Sequence, residues 1–207
     1  VWKKNNDYKF LQKKKDEVNK ESENVSDDNC LSQYRLFTAG LQGLIQEWDL
    51  TKGTIHFTHI SQGGAVWDMC DTEKGLAIAC DDGCLRLFNV NDMFDEDGDE
   101  TALDAITFDK AFNTGKGKKR VVSVCRVENI LFAGDNNSEI SKWNIKTSGC
   151  EDRMTADKVD SKHDTILWSI CDIGEGFLVS GDSTGAINLW DSNTMTFVNK
   201  FSLHQAD

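Results

Sequence analysis

The sequence predicts an all-β protein made of repeated units of four antiparallel strands. Three observations support this prediction: one motif occurs four times, short apolar runs surround most copies, and no long stretch has the 3.6-residue period of an amphipathic helix. The 207 residues contain no proline, so glycine, asparagine and aspartate are expected to form the turns.

The motif is an eleven-residue segment that begins at Ala39, Ala79, Gly134 and Gly181. Its fifth position holds a small residue that tolerates the positive φ of a tight turn. These residues are Gly43, Gly83, Ser138 and Gly185. The motif therefore predicts a hairpin between the second and third strands of every unit.

The tenth position of the motif is aromatic in all four copies, and the eleventh is Asp or Asn. The aromatic residues are Trp48, Phe88, Trp143 and Trp190. The residues after them are Asp49, Asn89, Asn144 and Asp191. Alternating apolar residues before the aromatic predict a strand with one face buried against a neighbouring sheet. We interpret the aromatics as structural repeat positions and the Asp or Asn as residues that close the next turn.

The remaining strands of each unit are predicted from short runs around the motif. First strands are expected at residues 65–70, 121–125 and 166–171, each ending in a cysteine, and Cys30 has the equivalent position before the first motif. Fourth strands are expected at residues 54–59, 106–112, 150–154 and 196–201. Trp2 lies 46 residues before Trp48 and is interpreted as the end of a third strand in a preceding unit.

Four strands per unit and spacings of 40, 55 and 47 residues between the aromatics are typical of WD40-type β-propeller blades with insertions. We predict an incomplete propeller of about four blades at residues 34–207, with an acidic insertion at 91–104. A single blade cannot bury its own faces, so further blades are expected outside this sequence. Residues 1–33 are interpreted as a Lys-rich irregular segment, the end of a preceding blade plus an insertion.

Two basic clusters stand out in a chain whose net charge is −12. The first contains Lys3, Lys4, Lys9, Lys13, Lys14 and Lys15, and the second contains Lys116, Lys118, Lys119 and Arg120. The overall negative charge disfavours broad binding to nucleic acid, but exposed cations on a loop can neutralise phosphates locally. We consider both clusters candidates for binding RNA or a partner, and a solvated charge run is the alternative. The second cluster has no apolar residue to bury, so its side chains are expected to be exposed.

The other polar residues are interpreted as structural. His163 stands where WD40 blades often place a histidine that bonds a strand Ser and the following Trp, here Ser180 and Trp190. Thr184 replaces the usual turn Asp, so this network is expected to be partial. The seven cysteines are interpreted as reduced thiols, mostly small core residues, because their number is odd and their positions follow the repeat. No catalytic residue, metal site, cofactor or membrane span is expected.

Several stretches go beyond a general WD40 repeat and resemble the cirhin family, WD40 subunits of the small-subunit processome. They are residues 35–41, 45–50, 63–67, 82–88 and 181–207. The resemblance keeps the order and approximate spacing of these stretches over residues 33–207.

The resemblance implies a non-enzymatic nucleolar scaffold of the UTP-A (t-UTP) subcomplex that supports pre-rRNA processing and maturation of 18S rRNA. The implied partners are the other UTP-A subunits, with the 5′ external transcribed spacer of pre-rRNA and the U3 small nucleolar ribonucleoprotein in the same particle. The alternative is a general WD40 protein–protein adaptor, such as the substrate receptor of a ubiquitin ligase.

Overall fold

A computed structural model of the chain describes residues 2–4, 34–91, 105–114, 119–157 and 164–202. These residues form sixteen β-strands and no helix, arranged in four antiparallel sheets of four strands each. The predicted fold class, an incomplete set of WD40-type propeller blades, is therefore confirmed. The acidic insertion at 91–104 and the Lys-rich segment before residue 34 lie almost wholly outside the described residues.

Each sheet contains four strands that are consecutive in the sequence, in the order in which they occur. The first sheet contains β1 (Trp2–Lys4), β2 (Tyr34–Ala39), β3 (Leu44–Asp49) and β4 (Thr54–Ile60). The second contains β5 (Val66–Asp71), β6 (Gly75–Cys80), β7 (Cys84–Val90) and β8 (Ile106–Asn113). The third contains β9 (Val121–Val127), β10 (Ile130–Asp135), β11 (Glu139–Asn144) and β12 (Cys150–Thr155). The fourth contains β13 (Leu167–Gly174), β14 (Phe177–Asp182), β15 (Ile187–Asp191) and β16 (Thr196–Phe201).

The four motif turns lie between the second and third strands of their sheets, as predicted. Their small residues have positive φ: 71° at Gly43, 83° at Gly83, 65° at Ser138 and 76° at Gly185. Gly83 also lies against the backbone of the next blade, because a Cβ atom there would come within 2.7 Å of the Lys119 carbonyl oxygen. Glycine is thus required at this turn by both its φ and the space available.

The Asp or Asn after the aromatic closes the following turn in three of the four blades. The Oδ1 atom of each accepts hydrogen bonds from the backbone N–H groups two and three residues later; the three residues are Asp49, Asn144 and Asp191. These bonds lower the pKa of Asp191 below its ordinary value. Asn89 differs, because β7 continues past it to Val90.

The interpretation of Trp2 was wrong. Trp2–Lys4 is β1, the first strand of the first sheet, and pairs antiparallel with β2 so that Trp2 stands opposite Leu36. A fixed repeat length could not predict this pairing, because about thirty residues separate the two strands in the sequence. Cys30, expected near this position, lies outside the described residues.

The chain divides into two compact units. The first comprises Val1–Thr38 and Ile45–His59. In this unit Phe37 and Ile45 are fully buried, and Arg35 binds the Glu47 carboxylate through Nε at 2.6 Å and Nη2 at 2.8 Å. This bidentate pair joins β2 to β3 inside the blade.

The second unit comprises Ala39–Leu44 and Ile60–Asp207 and contains the second, third and fourth sheets. One core forms between the second and third sheets, where Leu85 and Phe112 pack against Leu131 and Trp143. Another core forms between the third and fourth sheets around Phe132, Ile140, Leu178 and Trp190. Burial in this unit therefore comes from stacking one blade on the next.

Candidate partner-binding surface

The repeat aromatics belong to the core of the blades. Phe88, Trp143 and Trp190 are buried, and Trp48 is half-buried. Trp143 packs on Phe112 of the second sheet with ring centroids 5.6 Å apart. The aromatics of the third and fourth blades thus fill the space between adjacent sheets and are not available to a ligand.

A cross-strand hydrogen bond holds two of the Trp rings. Trp48 Nε1 donates to Thr38 Oγ1 at 2.8 Å, and Trp190 Nε1 donates to Ser180 Oγ at 2.9 Å. Each hydroxyl lies ten residues before its Trp. Sequence reasoning identified Ser180 but missed Thr38, although the same spacing was visible.

The other two blades do not form this cross-strand hydrogen bond. In the third blade Ala133 occupies the position ten residues before Trp143, and Trp143 Nε1 donates to Ser141 Oγ at 2.8 Å instead. In the second blade the aromatic is Phe88, which has no N–H group, and Ile78 occupies the partner position. A buried donor is therefore present only where a hydroxyl is available to accept from it.

In the turn of the fourth blade, where Thr184 replaces the usual Asp, Asp182 provides the carboxylate. Asp182 lies two residues before Thr184 and accepts hydrogen bonds from the backbone N–H groups of Thr184 and Ala186, and from Asn188 Nδ2 at 2.8 Å. Burial raises the pKa of Asp182, but the bonds from Thr184 and Asn188 outweigh it and leave the pKa below its ordinary value. His163, the other candidate for this network, lies outside the described residues.

The described part of the second basic cluster is held in ion pairs. Lys119 Nζ lies 3.1 Å from Asp135 Oδ2 and 3.2 Å from Glu139 Oε2, and its side chain is 16% exposed. Burial lowers the pKa of Lys119, but the two carboxylates raise it above its ordinary value. The expectation that all four cations are exposed is therefore wrong for Lys119, because the chain entering β9 passes over the acidic end of the third hairpin.

Arg120 is half-exposed and pairs with an acid of the second sheet. Its Nε atom lies 3.0 Å from Asp81 Oδ1, and the same oxygen accepts a hydrogen bond from Trp67 Nε1 at 3.0 Å. Lys116 and Lys118 lie outside the described residues, as do Lys13, Lys14 and Lys15. A role for these clusters in binding RNA stays a prediction.

The cysteines of the first strands are not equivalent in burial. Cys70 and Cys125 are partly buried, and burial raises the pKa of both thiols. Cys171 is exposed, so its expected place in the core was wrong. It stands opposite Val179, on the face of the fourth sheet turned away from the core around Trp190.

The described residues contain no group of three or more His, Cys, Asp or Glu side chains arranged to hold a metal ion. Within the same part of the chain, no helix has the length and apolar character needed to cross a membrane.

Comparison with known proteins relates the chain to one set of proteins. No protein-family model matches it. It is 30% identical over 179 residues to the human U3 small nucleolar RNA-associated protein 4 homolog, a stretch that covers 84% of this chain and 24% of the human protein. It is 29% identical over 180 residues to U3 small nucleolar RNA-associated protein 4 of Schizosaccharomyces pombe, with the same coverage. The Saccharomyces cerevisiae protein of that name is 25% identical over 182 residues.

The chain spans about a quarter of the length of these relatives. The matched stretch includes most of the described blades, since it covers 84% of the chain. By sequence, this all-β chain is therefore similar to a segment of U3 small nucleolar RNA-associated protein 4 from yeasts and mammals.

Proposed function

We propose that this chain is part of a non-enzymatic scaffold in ribosome biogenesis, a nucleolar subunit of the small-subunit processome. The similarity to proteins named for association with U3 small nucleolar RNA, over 84% of the chain, carries this proposal. In its finer form, the protein belongs to the UTP-A (t-UTP) subcomplex and binds its other subunits. There it supports pre-rRNA processing and maturation of 18S rRNA.

The architecture suits a scaffold. Side chains that are reactive in enzymes are used here for folding, since Ser180 accepts a hydrogen bond from Trp190 and Asp182 caps a turn. Stacked blades present many loops on a rigid frame, which favours binding several partners at once.

RNA contact, if direct, is assigned to cations of the two basic clusters other than Lys119 and Arg120, because these two are paired with acids of the blades. Lys119 is held by Asp135 and Glu139, so its contribution to phosphate binding is largely neutralised. The proposal therefore rests on Lys116 and Lys118, and on the N-terminal cluster. The RNA in question is the 5′ external transcribed spacer of pre-rRNA.

Affinity purification of the tagged protein, followed by hybridisation for U3 small nucleolar RNA, tests the proposal. We expect U3 RNA and several nucleolar proteins to be enriched over a tagged, unrelated propeller. Recovery of cullin-ligase components without U3 RNA would contradict the processome proposal and favour the ubiquitin-ligase adaptor.

Crosslinking to pre-rRNA tests the basic loop. The double substitution Lys116→Glu and Lys118→Glu should weaken crosslinking and reduce its salt dependence, because fewer counterions are released on binding. The matched control, Lys74→Glu with Lys146→Glu, changes the charge equally at two exposed lysines on turns at the opposite end of the blades. Equal crosslinking by both double variants would refute the role of this loop.

A further inference from the structure

Large exposed side chains gather at one end of the second unit, and we call them the rim surface. They are Leu41, Trp67, Arg120 and Trp168. Leu41 lies in the first motif turn, Trp67 and Trp168 are the second residues of β5 and β13, and Arg120 directly precedes β9. Leu41 is 71% exposed, Trp67 36% and Trp168 51%. Their exposure contrasts with the repeat aromatics of the same unit, Phe88, Trp143 and Trp190, which are buried.

Hydrogen bonds place these residues at the same edge. Gly40 O accepts from Val66 N at 3.0 Å, which places the Leu41 turn beside the start of β5. The strand β9 lies between β5 and β13: Val124 N donates to Asp68 Oδ2 of β5, and Ser123 Oγ donates to Leu167 O of β13. The starts of the three strands therefore form one continuous edge.

Asp81 orders the centre of the rim surface. One of its carboxylate oxygens accepts a hydrogen bond from Trp67 Nε1 at 3.0 Å and lies 3.0 Å from Arg120 Nε in an ion pair. Within the described residues, neither the Nη1 nor the Nη2 atom of Arg120 donates a hydrogen bond. The guanidinium group is thus held beside an indole with two N–H groups able to bind a carboxylate in bidentate geometry.

The composition of the rim surface favours a protein partner. Trp and Arg are the residues most enriched among the energetically dominant contacts of protein interfaces. A nucleic acid would need excess positive charge, but Arg120 lies beside the Asp81 carboxylate, and the neighbouring described cations are also paired with acids. The pairs are Arg86 with Asp82, Lys119 with Asp135, and Arg153 with Glu139.

We propose that the rim surface binds an extended protein segment that presents a large apolar side chain next to a carboxylate. The apolar side chain packs between Trp67 and Trp168, and the carboxylate accepts from Arg120. This proposal does not depend on the processome assignment, since it rests on the geometry of these side chains alone.

Selection from a phage-displayed library of random dodecapeptides against the full chain tests the proposal, followed by fluorescence anisotropy with the enriched peptides. We expect enriched peptides to combine Trp, Phe or Leu with Asp or Glu. Trp168→Ser and Arg120→Ala should each weaken their binding by about thirtyfold or more, as is typical of dominant interface contacts.

Two controls lie at the opposite ends of the same strands. Ile173→Ser removes an exposed apolar side chain of β13, and Arg126→Ala removes an Asp-paired guanidinium of β9. Both should bind the peptides within about twofold of the unchanged chain, and thermal melting should show all four variants folded. The proposal would be overturned if the Trp168 and Arg120 substitutions left peptide affinity unchanged, or if the library yielded no binder. So would rim-dependent binding of a 20-nucleotide oligouridylate in place of peptides.

Discussion

Replacing Trp190 tests the stacking of the third and fourth blades most directly. Its side chain is 2% exposed and packs in the core with Phe132 and Ile140. Its ring also meets Phe197 edge-on, with centroids 5.6 Å apart. Trp190→Ala would remove this volume from a packed core, so the free energy of unfolding should fall by about 3–5 kcal/mol.

A milder substitution separates the hydrogen bond from the packing. Trp190→Phe keeps most of the ring but leaves the fully buried Ser180 hydroxyl without its partner. That change should cost about 1–3 kcal/mol. The second blade already contains the apolar equivalent, Phe88 with Ile78 at the partner position. The double variant Trp190→Phe with Ser180→Ala should therefore lose less unfolding free energy than the two single variants lose together. The difference should be about 1 kcal/mol.

The measurement is urea denaturation of the full chain followed by far-UV circular dichroism, because tryptophan fluorescence changes with the substitution itself. Urea denaturation of Trp168→Ala controls for the loss of a half-exposed Trp of the same sheet. If Trp190→Ala unfolds within about 0.5 kcal/mol of the unchanged chain, Trp190 does not support the stacked blades. Strict additivity in the double variant would refute the role given to the Ser180 hydrogen bond.

Three further predictions use the same denaturation measurement. Gly83→Ala should lower the free energy of unfolding by at least about 2 kcal/mol, because the new Cβ atom would combine a positive φ with a backbone clash. Gly40→Ala, which has open space around it, should change the stability little. Equal effects of the two substitutions would contradict the turn geometry. Lys119→Met should cost about 1–3 kcal/mol, because it leaves a buried carboxylate unpaired; an unchanged stability would show that the ion pair contributes nothing. Burial raises the pKa of Asp68 in the folded chain, so the folded state holds this proton more tightly than the unfolded state. The free energy of unfolding should therefore fall as the pH rises from the ordinary pKa of Asp through the raised pKa of the folded state. Asp68→Asn should therefore be relatively more stable at pH 7 than at pH 3, and a pH-independent difference would contradict this.

The repeated local patterns of the sequence were sufficient to predict the blades. Each hairpin turn needs a residue that accepts positive φ, and each motif supplies one at its fifth position, such as Ser138 or Gly185. Fourth strands were predicted to within one residue at their ends, as β16 shows. Turn chemistry and strand alternation act between near neighbours, so the sequence contains them directly.

The sequence did not reveal which distant residues meet. The pairing of β1 with β2, the acids that hold Lys119, and the oxygen of Asp81 shared by Trp67 and Arg120 all join residues far apart in the chain. The ion pairs at Lys119 explain why a run of cations that looked exposed is partly neutralised.

The sequence by itself determined the fold class, the number of blades, their turns and the identity of the repeat aromatics. Only the tertiary structure decided which polar and aromatic side chains make contacts within and between the blades and which remain exposed at the rim surface. The physical reason is that stacking of the blades sets these contacts, and stacking depends on burial over whole sheets, not on the residues adjacent in the chain.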